Sequence, residues 1–138
     1  MLFEQISKKD ILQIVKESLT EVKKEILATM LLEEELKFPL PFSYFSLLRK
    51  KVERGIVLKR LGFGNREDYD KIKKKIKISS KNYIFKYIIN SSKYQRMIVI
   101  DRKKLFFGND DIFFQSEFKP LVKVFSDYFH ELFKEGMI

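Results

Sequence analysis

Tyr94, Arg96, Asp101, Gly108, Asn109 and Asp111 are the residues of this chain whose types and spacing could do chemistry on a phosphate. A guanidinium such as that of Arg96 clamps a phosphate through two parallel hydrogen bonds. A phenol two residues earlier could attack phosphorus only if something removed its proton, since its ordinary pKa of about 10 keeps it protonated near neutral pH. Asp101 and Asp111 supply carboxylates, and Gly108-Asn109 supplies a small polar loop. His130, the only histidine, lies beside the apolar stripe of a C-terminal helix and reads as a satisfied or solvated side chain. The chain has no cysteine, so neither disulfides nor thiolate chemistry is open to it, and no metal or cofactor is expected.

The elements that must position these residues follow from local pattern. Tyr94 to Asp111 reads as a hairpin: Ile98 and Val99 lie in a β-branched run, Asp101-Arg102-Lys103 is a polar turn, and Leu105-Phe106-Phe107 is a second run closed by Gly108-Asn109-Asp110. Alternate residues of a strand share a face, so Tyr94 and Arg96 are expected to point the same way, with the loop from Gly108 to Asp111 closing over them. Upstream, Ser7 caps a helix with Ile11, Ile14, Val15, Leu19 and Val22 on one face, and Ile26 to Leu31 is a central strand. Glu33 to Pro41 is expected to be a loop, Phe42 to Arg54 a helix ended by Gly55, and Ile56 to Leu61 a strand. Gly62-Phe63-Gly64 reads as a plain turn before a Lys-rich helix capped by Asn65, because no full phosphate-loop pattern accompanies it. Asn82 to Ile89 is a further strand. Ser116 caps a last helix whose stripe of Leu121, Val124, Phe125, Tyr128, Phe129, Leu132 and Phe133 needs a sheet or a partner subunit to cover it.

The spacing Tyr94-x-Arg96-x4-Asp101-x6-Gly108 resembles the phospholipase D superfamily motif H-x-K-x-x-x-x-D-x-x-x-x-x-x-G. Tyr94 stands at the His position and Arg96 at the Lys, while Asn109 and Asp111 stand where the family has Ser or Thr and Asn. The run Leu47 to Leu61, a helix, then Arg54-Gly55-Ile56, then an apolar and basic strand, is similar to the same domains and to the effector domains of TrmB-like archaeal transcription regulators. The resemblance covers residues 8 to 135 and implies one phospholipase D-like domain over 1–138, an α/β sandwich with a mixed central sheet flanked by helices. In the family two motif copies meet at one phosphate site, so a single copy implies a homodimer in which the Asp101 to Asp111 regions approach each other. The nucleophilic His is replaced while phosphate recognition by Arg96 is kept. The expectation is therefore a non-catalytic dimerisation or effector module binding a phosphate-bearing ligand or nucleic acid. The alternative is a diverged phosphodiesterase or nuclease with Tyr94 as nucleophile.

A formal net charge of +9 favours an anionic partner, since clustered cations release counterions from phosphates. Lys71, Lys73, Lys74, Lys75 and Lys77 crowd one helix and are the candidate nucleic-acid contact, against the plainer reading of a solvated face. The first residues lack a basic and apolar leader pattern, and no apolar run approaches the roughly 20 residues of a membrane span. A cytoplasmic protein with no membrane partner is expected.

Overall fold

Seven strands pair into one sheet in a computed structural model that describes residues 2–138. In chain order the elements are β1 (Glu4–Ile6), α1 (Ile11–Thr20), β2 (Glu25–Leu31), α2 (Leu32–Lys37), α3 (Phe42–Glu53), β3 (Val57–Phe63), α4 (Arg66–Lys75), β4 (Tyr83–Ile88), β5 (Arg96–Ile100), β6 (Lys104–Asn109), β7 (Ile112–Ser116) and α5 (Lys119–Glu135). The strand order is β1-β7-β6-β5-β2-β3-β4. β2, β3 and β4 are parallel, joined by crossovers through α2, α3 and α4, whereas β5, β6, β7 and β1 add antiparallel neighbours. β2 is buried from Ile26 to Met30, with Thr29 the one polar side chain there, because it is covered on both faces. The helices α1 to α4 pack on one face around Val15, Leu48, Val52, Tyr69 and Ile72; α5 packs on the other around Phe63, Met97, Phe129 and Leu132. The expected α/β sandwich with a mixed sheet is what forms.

Several elements differ from the sequence expectation, each for a local reason. Glu33 to Lys37 is helical, not loop: Glu33, Glu34 and Glu35 sit in the first turn of α2, where the helix dipole favours negative charge, and Lys37 pairs with Glu33 at 2.7 Å. Gly62 and Phe63 complete β3 against Met30, Leu31, Tyr87 and Ile88, so only Gly64, at φ +150°, makes the turn. A Cβ at Gly62 would overlap the Leu32 side chain, so glycine there lets Leu32 pack directly on the strand. Ile112 to Ser116 and Glu4 to Ile6 pair as strands that pattern did not reveal, being five and three residues long. Ser116 therefore ends β7 rather than capping α5, although its Oγ still accepts the Phe118 N–H at 3.1 Å. The buried stripe of α5 is rotated from the expected one: Val122 is inside, while Val124 is 62% and Tyr128 40% exposed.

Candidate functional site

β5 separates the motif residues instead of gathering them. Arg96 opens the strand and is paired directly with Gly108, whereas Asp101 lies past its other end, about 16 Å away along the backbone. Tyr94 precedes β5, at the end of a short 3-10 turn over Ser91–Lys93, so strand alternation does not govern it. Its ring packs edge-on against Phe63 at 5.4 Å on the α5 side of the sheet. Arg96 lies on the opposite side, 5.7 Å from the Phe113 ring, with Nη2 at 2.9 and 3.0 Å from the two oxygens of Glu34. The expectation that Tyr94 and Arg96 share a face is thus corrected.

Each remaining motif residue has a structural occupation. Burial would raise the Asp101 carboxyl, but the backbone N–H groups of Glu25, Lys23 and Lys24, at 3.0, 2.9 and 2.8 Å, together with Lys103, hold it below the usual carboxylate range. A Cβ on Gly108 would sit 2.5 Å from the Ile112 carbonyl oxygen, so β6 and β7 can approach only with glycine there. Asn109 ends β6 exposed, and the exposed Asp111 pairs with Lys8 at 2.9 Å. The Tyr94 hydroxyl is buried without a hydrogen-bond partner; burial pushes its pKa up to about 12, with Arg96 pulling it down and Glu34 pushing it up. His130 lies with Nδ1 2.7 Å from the Ser126 carbonyl oxygen, which places the proton on Nδ1 and turns Nε2 toward Arg102 at 3.5 Å.

Arg96 and Glu34 stand at a cavity of about 220 Å³ between α1, α2, α3 and the sheet. Its walls are mostly apolar, with Ile11, Val15, Met30, Ile98, Phe106 and Phe113 among them, and Phe38 and Leu40 of the α2–α3 loop stand at it as exposed residues. At it lie Tyr44, Glu35 and Arg60, the last only 4% exposed. The Arg60 guanidinium is sandwiched 5.5 and 5.3 Å from the rings of Phe45 and Phe85, donates to Tyr83 Oη at 3.2 Å, and is 3.9 Å from Glu35 Oε1, which has no hydrogen-bond partner. Burial raises the Glu35 carboxyl against the pull of Arg60 and Lys75, and pushes the Tyr44 phenol up to about 12.

A second candidate surface was not visible as a sequence window. Because β2, β3 and β4 run parallel, the residues leading into them share one end of the sheet, and the three bonds to Asp101 bring the β5–β6 turn to the same place. Lys23 and Lys24 thereby lie beside Arg102 and Lys103. The last turn of α3 brings Lys50, Lys51 and Arg54 there, with Lys51 Nζ donating to the Thr20 carbonyl at 2.7 Å. α4 returns the chain to the start of β4, so Lys77 and Lys81 lead into this end as well. Of the five lysines expected on one helix, Lys71 is paired with Glu67 at 3.3 Å, Lys73 lies 5.2 Å from the Tyr69 ring centre and Lys74 and Lys75 are exposed on α4, while the exposed Lys77 lies past its end, the helix stopping at Lys75. Arg102 is held by Glu25 at 2.8 Å. No helix is long and apolar enough to cross a membrane, and no group of residues that could hold a metal ion occurs among the described residues.

No family model and no curated protein matches this chain. Among solved structures it is similar to TrmBL2, an archaeal chromatin protein whose structure shows a novel mode of DNA binding, with a TM-score of 0.74 and 19% identity over 99% of this chain and 53% of that chain. The chain thus spans about half the length of the TrmBL2 chain it matches, and the likeness establishes a common fold.

Proposed function

We propose that this chain is a non-enzymatic regulatory domain of a DNA-associated protein, one that meets the nucleic-acid backbone through the basic end of its sheet. The observation that carries the reading is the convergence of Lys23, Lys24, Lys50, Lys51, Arg54 and Lys103 from separate segments on one end of a domain whose net charge is +9. Ammonium groups meet phosphates as point charges and read no bases, so binding is non-specific and steeply salt-dependent. The fold shared with TrmBL2, a chromatin protein, supports the same direction. The phospholipase D-like spacing enters this reading only as a backbone framework, in which Glu34 holds the Arg96 guanidinium. A homodimer built on one domain over residues 1–138, acting in the cytoplasm, completes the proposal; sedimentation equilibrium at micromolar concentration giving monomer alone would remove the dimer. Tyr94 has no nucleophilic part in it, because its hydroxyl is buried and its proton tightly held.

Fluorescence anisotropy with a labelled duplex tests the contact. Affinity should fall linearly in log-log form with salt, and changing Lys23, Lys24 and Lys103 to Gln should reduce the slope by about 2–3. The same change at Lys74, Lys75 and Lys77 measures the share of the α4 side. A flat salt response, or an unaltered slope in both triple variants, would exclude backbone binding by these surfaces.

A further inference from the structure

We propose that the cavity over the helical face of the sheet is a binding site for a small, mainly apolar molecule carrying one neutral head group that both accepts and donates a hydrogen bond, such as an alcohol or an amide. This goes beyond the nucleic-acid reading, because the cavity lies among α1, α2 and α3 rather than at the basic end of the sheet. Volume comes first: about 220 Å³ exceeds the roughly 150 Å³ of an engineered apolar cavity that holds one benzene. Wall chemistry comes second. Ile11, Val15, Ile98, Phe106 and Phe113 offer an apolar ligand body dispersion contacts and nothing to hydrogen-bond, which disfavours a molecule polar all round.

The head group follows from what the polar side chains lack. Arg60 and Glu35 have side chains only 5% and 10% exposed, yet at 3.9 Å they are too far apart for a hydrogen bond, and Glu35 Oε1 has no other partner. Of the five N–H groups of Arg60, one reaches Tyr83 Oη and one reaches the weak acceptor Met30 Sδ at 3.4 Å. Glu35 Oε1 is sealed from solvent, so a ligand hydroxyl entering between them, with the Glu35 side chain giving way, would accept from Arg60 and donate to Glu35, satisfying both at once. A second anion has no such place, because Glu35 would face it and Glu34 already occupies Arg96. An alcohol or amide head is therefore selected over a carboxylate or phosphate.

The test uses the full chain and three probes: benzyl alcohol, toluene and inorganic phosphate, followed by amide chemical-shift perturbation. Benzyl alcohol should saturate, moving the resonances of lining residues such as Ile98 and Phe106, with about tenfold higher affinity than toluene, the effect of hydrogen bonds to charged partners. The paired change Glu35→Met with Arg60→Met keeps the region neutral and foldable, and should bring that ratio to near one while toluene still binds. Equal affinity for the two aromatics in the native protein, no saturable binding, or shifts confined to residues outside the cavity would overturn the proposal. So would phosphate displacing benzyl alcohol from it.

Discussion

Replacing Asp101 by Ala should cost about 3–4 kcal/mol of stability, and the size follows from what the side chain does. It accepts three backbone N–H groups, from Lys23, Lys24 and Glu25, across a sequence separation of more than seventy residues. Two of those bonds are exposed and one is half-buried, so the freed amides regain water and each bond is worth about 1 kcal/mol. Asp101 also adopts φ +55°, where Ala is strained by a further 1 kcal/mol or so. For a chain of this length the sum lowers Tm by roughly 10 °C. Asn tolerates that backbone and keeps one acceptor, so Asp101→Asn should cost about half as much. The sign with pH is fixed by the lowered folded-state pKa: the stability Asp101 contributes is complete above the unfolded value of about 3.9 and is lost as pH falls through the folded one. Thermal denaturation of native and Asn forms should therefore differ at pH 7, and the gap should start to close below about pH 4 and go on closing as pH falls through the folded-state value. Equal Tm at pH 7, or a gap that persists undiminished in acid, would refute the account. Because these bonds also dock the β5–β6 turn against Lys23 and Lys24, Asp101→Ala should weaken DNA binding at low salt even where the protein stays folded.

Other substitutions separate structural from chemical duty in the motif. Gly108→Ala should destabilise by about 1–3 kcal/mol in urea unfolding, because the added methyl meets the Ile112 backbone and not a movable side chain. Tyr94→Phe should change stability by less than about 1 kcal/mol in urea unfolding, since it deletes a buried hydroxyl that has no partner; a larger loss would show that the hydroxyl is bonded in the folded protein. Arg96→Met breaks a half-exposed ion pair with Glu34 and should cost under about 1 kcal/mol in urea unfolding; a larger loss would show that the pair holds α2 on the sheet.

The sheet was legible where period and punctuation agreed. The β5–β6 hairpin, the two parallel strands after α1 and α3, the Gly55 end of α3 at φ +98° and the Asn65 cap, which accepts the Asp68 N–H at 2.8 Å, all follow from local chemistry. The misses share a cause. β1 is only three residues long and β7, Ile-Phe-Phe-Gln-Ser, does not alternate; both pair within a sheet that the other strands form. The triple Glu of α2 reads in sequence as part of a loop, yet it places Glu34 on Arg96 and Glu35 near Arg60, partners 62 and 25 positions away that no window joins.

The motif spacing was legible for a reason that makes it weak evidence of chemistry. Asp101 is needed because a carboxylate at the tip of β5 can gather the three amides that start β2, and Gly108 is needed because β7 passes over it; both demands come from backbone geometry and would hold on any strand, turn and strand of this shape. What catalysis would need, a nucleophile aimed beside the guanidinium, is what the structure lacks, since Tyr94 is packed against Phe63 on the far side of the sheet from Arg96. The surface on which the proposed function rests has the opposite character: its cations come from the residues before β2, the end of α3 and the turn after β5, and no stretch of sequence holds them together. They become neighbours only through the parallel order of β2 and β3 and the reach of one carboxylate, Asp101.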